Sequence, residues 1–296
     1  MGAPDTPPAE RGYHTAEGEM HRRYKQLAPY VPELIDMRFG ERGAIQLTFS
    51  PHDWPRQRPA LEEFCRQVGF LLSERLVLGE HKVLVSREPP PAWKPKDQQL
   101  ILGQLFRYPR CCVDAFDAQV EAATKNPFIN QTGTLYRDVP ALPFELNPFL
   151  RASPFHLFKH FPCAADCPAT LAGARRVLDL VRTHQPGLAR DIERFNRWPV
   201  LYTDVCGFGI SLDGSVQGHR VRYREAVHDG HPRSLQHLAR HNRPEDLAVF
   251  EQLSDWLQQG DQIELDPDAI TVGCGGREIG RVRRPAHLHW QLMRFG

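Results

Sequence analysis

Two cysteine pairs constrain this chain more than any other feature of its sequence. The stretch "RYPRCCVDAF" sets Cys111 beside Cys112, and "HFPCAADC" sets Cys163 and Cys167 behind His160. A fold that joins the pairs ties two distant segments at one point. A fold that keeps them apart leaves four unrelated thiols. Each pair has a proline just ahead of it, Pro109 and Pro162, and proline suits the first turn of a helix. Both thiol sets are therefore expected near helix N-termini, where the backbone dipole and free N–H groups favour thiolate over thiol. Thiolate is the form a metal binds.

The spacing sharpens the expectation. On a helix opening at Pro162, Cys163 and Cys167 stand at i and i+4 on one face, with Cβ atoms roughly 5–6 Å apart. His160 precedes them by three residues and can reach the same side. Cys111 and Cys112 cannot share a helix face, yet at a first turn both thiols can converge on one centre. Four thiolates and an imidazole exceed what one tetrahedral site needs. Zinc would take four of the five, for example Cys112, His160, Cys163 and Cys167. An iron–sulfur cluster would take all four cysteines and leave His160 beside a sulfur. No C-x-x-C is present, so the spacing is that of neither a zinc ribbon nor a ferredoxin. Adjacent cysteines are awkward for a single zinc and feasible for a cluster, whose irons are spread out, so the expected cofactor is an iron–sulfur cluster ahead of zinc. A redox dithiol, or inert thiols packed where two helix ends meet, are the other readings of the same residues.

"YPRCCVDAF" followed by "HFPCAADCPATLAGARRVLDLV" resembles a sparsely characterised prokaryotic family of unknown function that shares a Tyr-Pro-x-Cys-Cys and a His-x-Pro-Cys-x-x-x-Cys element. The likeness covers roughly residues 100–185, with a weaker echo around "GFGISLDGSVQGHRVRY". It implies that Cys111, Cys112, His160, Cys163 and Cys167 act together, and it brings no reaction with it.

The rest of the chain bounds the setting. Its 296 residues are 41% hydrophobic and 25% charged with a net charge of +1, a globular balance that gives no reason to expect nucleic acid or an anionic membrane as partner. No apolar run approaches the roughly 18–20 residues that span a bilayer, and no secretory pattern opens the chain. Seven cysteines, an odd number, argue against a disulfide framework. The expected setting is cytoplasmic, and the expected partner a small molecule.

Other chemistry has weaker support. His237 and His241 stand at i, i+4 without the glutamate of a zincin, and His287 and His289 would share one strand face. "GCGG" (273–276) does not lead from a strand into a helix, so there is no dinucleotide fingerprint, and Cys274 reads as a turn residue. No segment reads as a P-loop, and no G-x-S-x-G elbow is present. "RVRR" (281–284) is a short basic cluster able to hold a carboxylate or phosphate.

Periodicity gives the frame. Residues 1–18 read as a disordered lead, 19–95 as an α+β part, 96–197 as a helical Cys-rich region and 198–296 as β-rich. Strands are expected at 43–51 and 81–87, and a helix over 58–76 with Cys65 on its buried face. The Asp-Gly of "LDGS" is expected to turn a hairpin, and 244–259 to form a helix ending at Gly260. The predicted fold class is α+β, with a mid-chain helical Cys-rich region and a C-terminal hairpin-based antiparallel sheet.

Overall fold

The computed structural model describes residues 32–77, 79–89, 103–122, 135–149, 155–203, 209–228 and 243–296. The expected lead over 1–18 and the pair His237 and His241 lie outside these residues. Among the described residues two compact units separate, one drawing on segments 24–127 and 154–194, the other on 128–153 and 195–296.

The first unit opens with α1 (Pro32–Phe39), β1 (Ala44–Phe49), α2 (Trp54–Val68), β2 (Leu71–Val77) and β3 (Glu80–Ser86). The strands form an antiparallel sheet in the order β1-β3-β2, with Ala44 opposite Ser86 and Phe49 opposite His81. Leu34, Ile45, Trp54, Leu61, Phe64, Val83 and Val85 close a core between the sheet and α1 and α2. Cys65 is buried in that core as its helical spacing predicted, and burial pushes its thiol up to about 11.

The helix expected over 58–76 is shorter. It stops at Gly69, whose left-handed φ of 72° closes a C-cap onto the Cys65 carbonyl. Glycine takes that conformation without a Cβ clash. Leu71, Leu72 and Leu76, which keep the helical period by coincidence, belong to β2 instead.

After Tyr108 the unit continues with α3 (Arg110–Ala122) and α4 (Pro168–His184), and α5 begins at Pro186 and runs to Asn196. Helix α1 packs against α4. The Phe39 and His184 rings stack with centroids 3.6 Å apart. Glu33 and Asp36 of α1 are buried charges. Glu33 meets His156 Nε2 at 2.5 Å and Lys159 Nζ at 3.5 Å.

The second unit is built on one eight-stranded sheet. Its strands are β4 (Ala141–Leu142), β5 (Val200–Thr203), β6 (Gly209–Gln217), β7 (Arg220–His228), β8 (Gln262–Leu265), β9 (Ala269–Cys274), β10 (Arg277–Arg283) and β11 (Trp290–Phe295). They lie in the order β10-β9-β8-β7-β6-β5-β11-β4, and every pairing is antiparallel except β11 with β4. Helix α6 (Pro244–Gln259) covers one face through Phe250, Leu253 and Leu257, packed with Ile263, Ile270 and Val272 of the sheet. The α+β class with a hairpin-based C-terminal sheet is thus the observed one.

The hairpin turn sits elsewhere than expected. β6 runs through Asp213-Gly214 as a bulge, with the register shifting between Leu212 and Gly214. The turn falls at Gly218-His219, where Gly218 has φ 61°. A Cβ on Gly214 would stand 2.0 Å from the Arg222 carbonyl oxygen, so its glycine permits close strand approach rather than a turn. No described helix is long and apolar enough to cross a membrane.

Candidate metal centre

Pro109 immediately precedes α3, and its carbonyl accepts the Cys112 and Val113 amides at 2.9 and 3.1 Å. That first turn presents both adjacent thiols to one point, 3.9 Å apart. The second group arrives differently from the sequence expectation. The helix begins at Pro168, not Pro162, so Cys167 is its N-cap residue and Cys163 lies in the turn before it. Proline at the first helical position sets that start. A turn closed by the Cys167 amide on the Ala164 carbonyl, at 3.0 Å, brings the two thiols round in place of an i, i+4 helical face.

The sulfurs converge. Cys167 Sγ is 3.6 Å from Cys112 Sγ and 3.9 Å from Cys111 Sγ, and all four sulfurs lie within 4.8 Å of one another. Four thiols so disposed can hold a metal ion or a cluster. Cys112 and Cys167 are buried, Cys163 is half-buried and Cys111 faces solvent.

The electrostatics set one thiol apart. Burial opposes ionisation at Cys167. The Thr170 hydroxyl and amide, with the Cys163 and Cys112 thiols, outweigh it and pull Cys167 down to about 6. No conventional cap hydrogen bond forms there; the stabilisation is that of amide and hydroxyl dipoles aimed at sulfur from the first turn of α4. Burial pushes Cys112 strongly up despite the Thr170 hydroxyl and the Cys163 amide. Burial, with the neighbouring Cys167 and Cys111 thiols, raises Cys163 to about 11.

His160 stands one hydroxyl away from the thiols. Its Nε2 lies 2.8 Å from Thr170 Oγ1, which in turn lies 3.4 Å from Cys112 Sγ. The imidazole is flanked by the Tyr108 and Phe158 rings, with centroids 4.8 and 5.6 Å away. Thr170 is the residue that reading the sequence missed. Its signal was present in "CPAT", a hydroxyl three residues past the capping cysteine of a Pro-started helix.

The remaining candidates separate. His287 and His289 lie in the turn before β11. His287 Nε2 pairs with Asp246 at 2.9 Å, while His289 Nε2 lies 3.3 Å from Gln291 Oε1 and 3.9 Å from Asp138. Cys274 is exposed at the end of β9, beside the Gly275-Gly276 turn. "RVRR" closes β10, where Arg281 pairs with Asp266 at 3.4 Å.

No protein-family model, curated protein or solved structure matches this chain.

Proposed function

We propose that Cys111, Cys112, Cys163 and Cys167 hold a single tetrahedral metal ion, zinc in the first instance, that staples the start of α3 to the start of α4. The observation that carries this reading is the sulfur spacing. A Zn–S bond of about 2.3 Å places tetrahedral sulfurs about 3.8 Å apart, against 3.9, 3.9 and 3.6 Å for three of the pairs. Thiolates around a four-iron cluster stand about 6 Å apart, because the irons lie between them.

Four thiolates fill a tetrahedral zinc, which leaves no position for substrate. The ion then acts through structure. It offsets the charge of the thiolates, while the dipoles of two helix starts and the Thr170 hydroxyl support the remaining negative charge.

A four-iron cluster in a redox or Lewis-acid enzyme is the second reading. Two features support it: all four cysteines converge with none left over, the complement such a cluster takes, and Cys111 opens the centre to solvent. It requires the three closest sulfur pairs, now 3.6–3.9 Å apart, to spread by roughly 2 Å.

Cobalt(II) loaded in place of the native ion tests the assignment. Four-thiolate tetrahedral coordination gives intense visible bands. Serine at Cys111, Cys112, Cys163 or Cys167 is expected to weaken and shift those bands in every case. Unchanged bands in any one variant would remove that residue from the ligand set, and absence of bands in the parent protein would end the reading.

A further inference from the structure

We infer that the cavity beside the thiol site binds a small organic oxyanion, a molecule with an apolar body and a carboxylate or phosphate end. The cavity lies wholly in the first unit, measures about 410 Å³ and is bounded by Arg42, Arg107, Arg176, Tyr108 and His160, with Leu157, Phe158 and α4 as its apolar walls. That volume is within the range of small-molecule sites, about 300–1,000 Å³. Three arginines line it and, among the described residues, no Asp or Glu does. Two of the three are steadied from behind. Arg42 pairs with the buried Asp36 at 3.2 Å, and Arg176 with Asp36 at 3.8 Å and Glu41 at 3.5 Å. Arg107 makes no ion pair among the described residues. Guanidinium forks match planar carboxylate and phosphate oxygens.

Two local departures from relaxed backbone chemistry fall on this one cavity. The helical turn at 103–105 ends with the Tyr108 amide on the Gly103 carbonyl at 2.9 Å and the Arg107 amide on the Gln104 carbonyl at 3.0 Å. This is the double closure in which glycine ordinarily takes the left-handed position. Here an arginine takes it, with φ 55°. In α4 the reverse substitution occurs. Gly173 sits mid-helix, where glycine is the least favourable residue after proline, yet a Cβ there would meet nothing within 4 Å. Packing does not require that glycine, and it lines the cavity, where a large side chain would take up the space. An arginine where glycine is relaxed and a glycine where alanine is relaxed mark a site under functional constraint.

This inference goes beyond the metal reading and rests on residues other than the four thiols, with His160 and Thr170 on the wall that the cavity shares with the centre. It is tested by calorimetric titration of the full metal-replete chain with phenyl phosphate, benzoate and neutral phenol. At least one anion is expected to bind and phenol is not; which anion binds identifies the head group. Arg107→Gly is expected to weaken that binding about tenfold or more, and Gly173→Leu to abolish it by filling the cavity. Both variants are expected to melt no lower than the parent and to keep its metal content. Gly173→Met, a flexible filler of similar volume, provides the same comparison if leucine disturbs α4. Binding of neither anion, equal binding of phenol, or parental affinity in Arg107→Gly or in the Gly173 variants overturns the inference. Metal content in the same samples separates the two readings: anion binding without metal leaves the cavity assignment standing, and metal without anion binding removes the cavity assignment alone.

Discussion

Cys167→Ser is the most informative single perturbation of the centre. Cys167 is fully buried, caps α4, and its sulfur is within 4 Å of both adjacent thiols of α3. Serine keeps the size and loses the metal bond. The link it breaks closes a loop between Cys112 and Cys167, 55 residues apart in sequence. Cross-linking a loop of that length removes about 4 kcal/mol of chain entropy from the unfolded state. In a unit of about 150 residues each kcal/mol moves the melting midpoint about 2–4 °C, so the variant is expected to melt about 8–16 °C below the metal-loaded parent. Scanning calorimetry of three samples checks this: loaded parent, chelator-stripped parent, and variant. The stripped parent and the variant should agree to within about 1 kcal/mol, since burying a hydroxyl in place of a thiol is the only other change. A variant that melts with the loaded parent, or a stripped parent that does, would refute the staple.

Three further outcomes are expected. Cys65→Ala and Cys274→Ala should each retain full metal, because one thiol lies in the α1–α2 core and the other on an exposed turn; metal analysis showing loss in either would misplace the ligands. Glu33→Gln should destabilise by about 3–5 kcal/mol at pH 7, because it leaves His156 and Lys159 without their buried carboxylate. Although burial opposes it, His156, Lys159 and Arg42 hold the Glu33 carboxyl well below the usual carboxylate range. Its contribution is therefore fully present above the ordinary carboxylate value and is lost as pH falls below it. Urea unfolding across pH 3–7 should show the parent's lead over the variant shrinking toward acid, and a constant gap would contradict this. Gly214→Ala should cost about 3 kcal/mol, since its Cβ would stand 2.0 Å from a backbone oxygen of β7 and the strands must part; an unchanged thermal midpoint would count against the bulge.

Local chemistry was legible in the sequence where one signal dominated. The apolar alternation of β1 and β3 and the Gly260 end of α6 needed no tertiary information, and the two cysteine groups marked their own meeting point. Errors came where two signals competed. Leu71, Leu72 and Leu76 continue a helical period past Gly69, and only the left-handed cap decides that the chain leaves the helix there. Asp213-Gly214 carries turn chemistry, but Gly218-His219 turns the chain and leaves Gly214 to admit the neighbouring strand. Pro162 and Pro168 both suit a helix start, and the choice of Pro168 moves Cys163 off the helix. The cavity was not legible at all. Arg42, Arg107 and Arg176 come from three separate segments, and nothing in their spacing announces that the turn after α1, the turn before α3 and the body of α4 will bring them together.

Metal and acid-labile sulfide analysis of the anaerobically purified protein tests the central claim most directly. One zinc per chain, no sulfide and no absorbance near 400 nm is the expected result, with the metal lost in Cys112→Ser. Iron and sulfide in equal amounts would contradict the single ion and favour the cluster, and a metal-free protein with four titratable thiols at this site would contradict the metal centre itself.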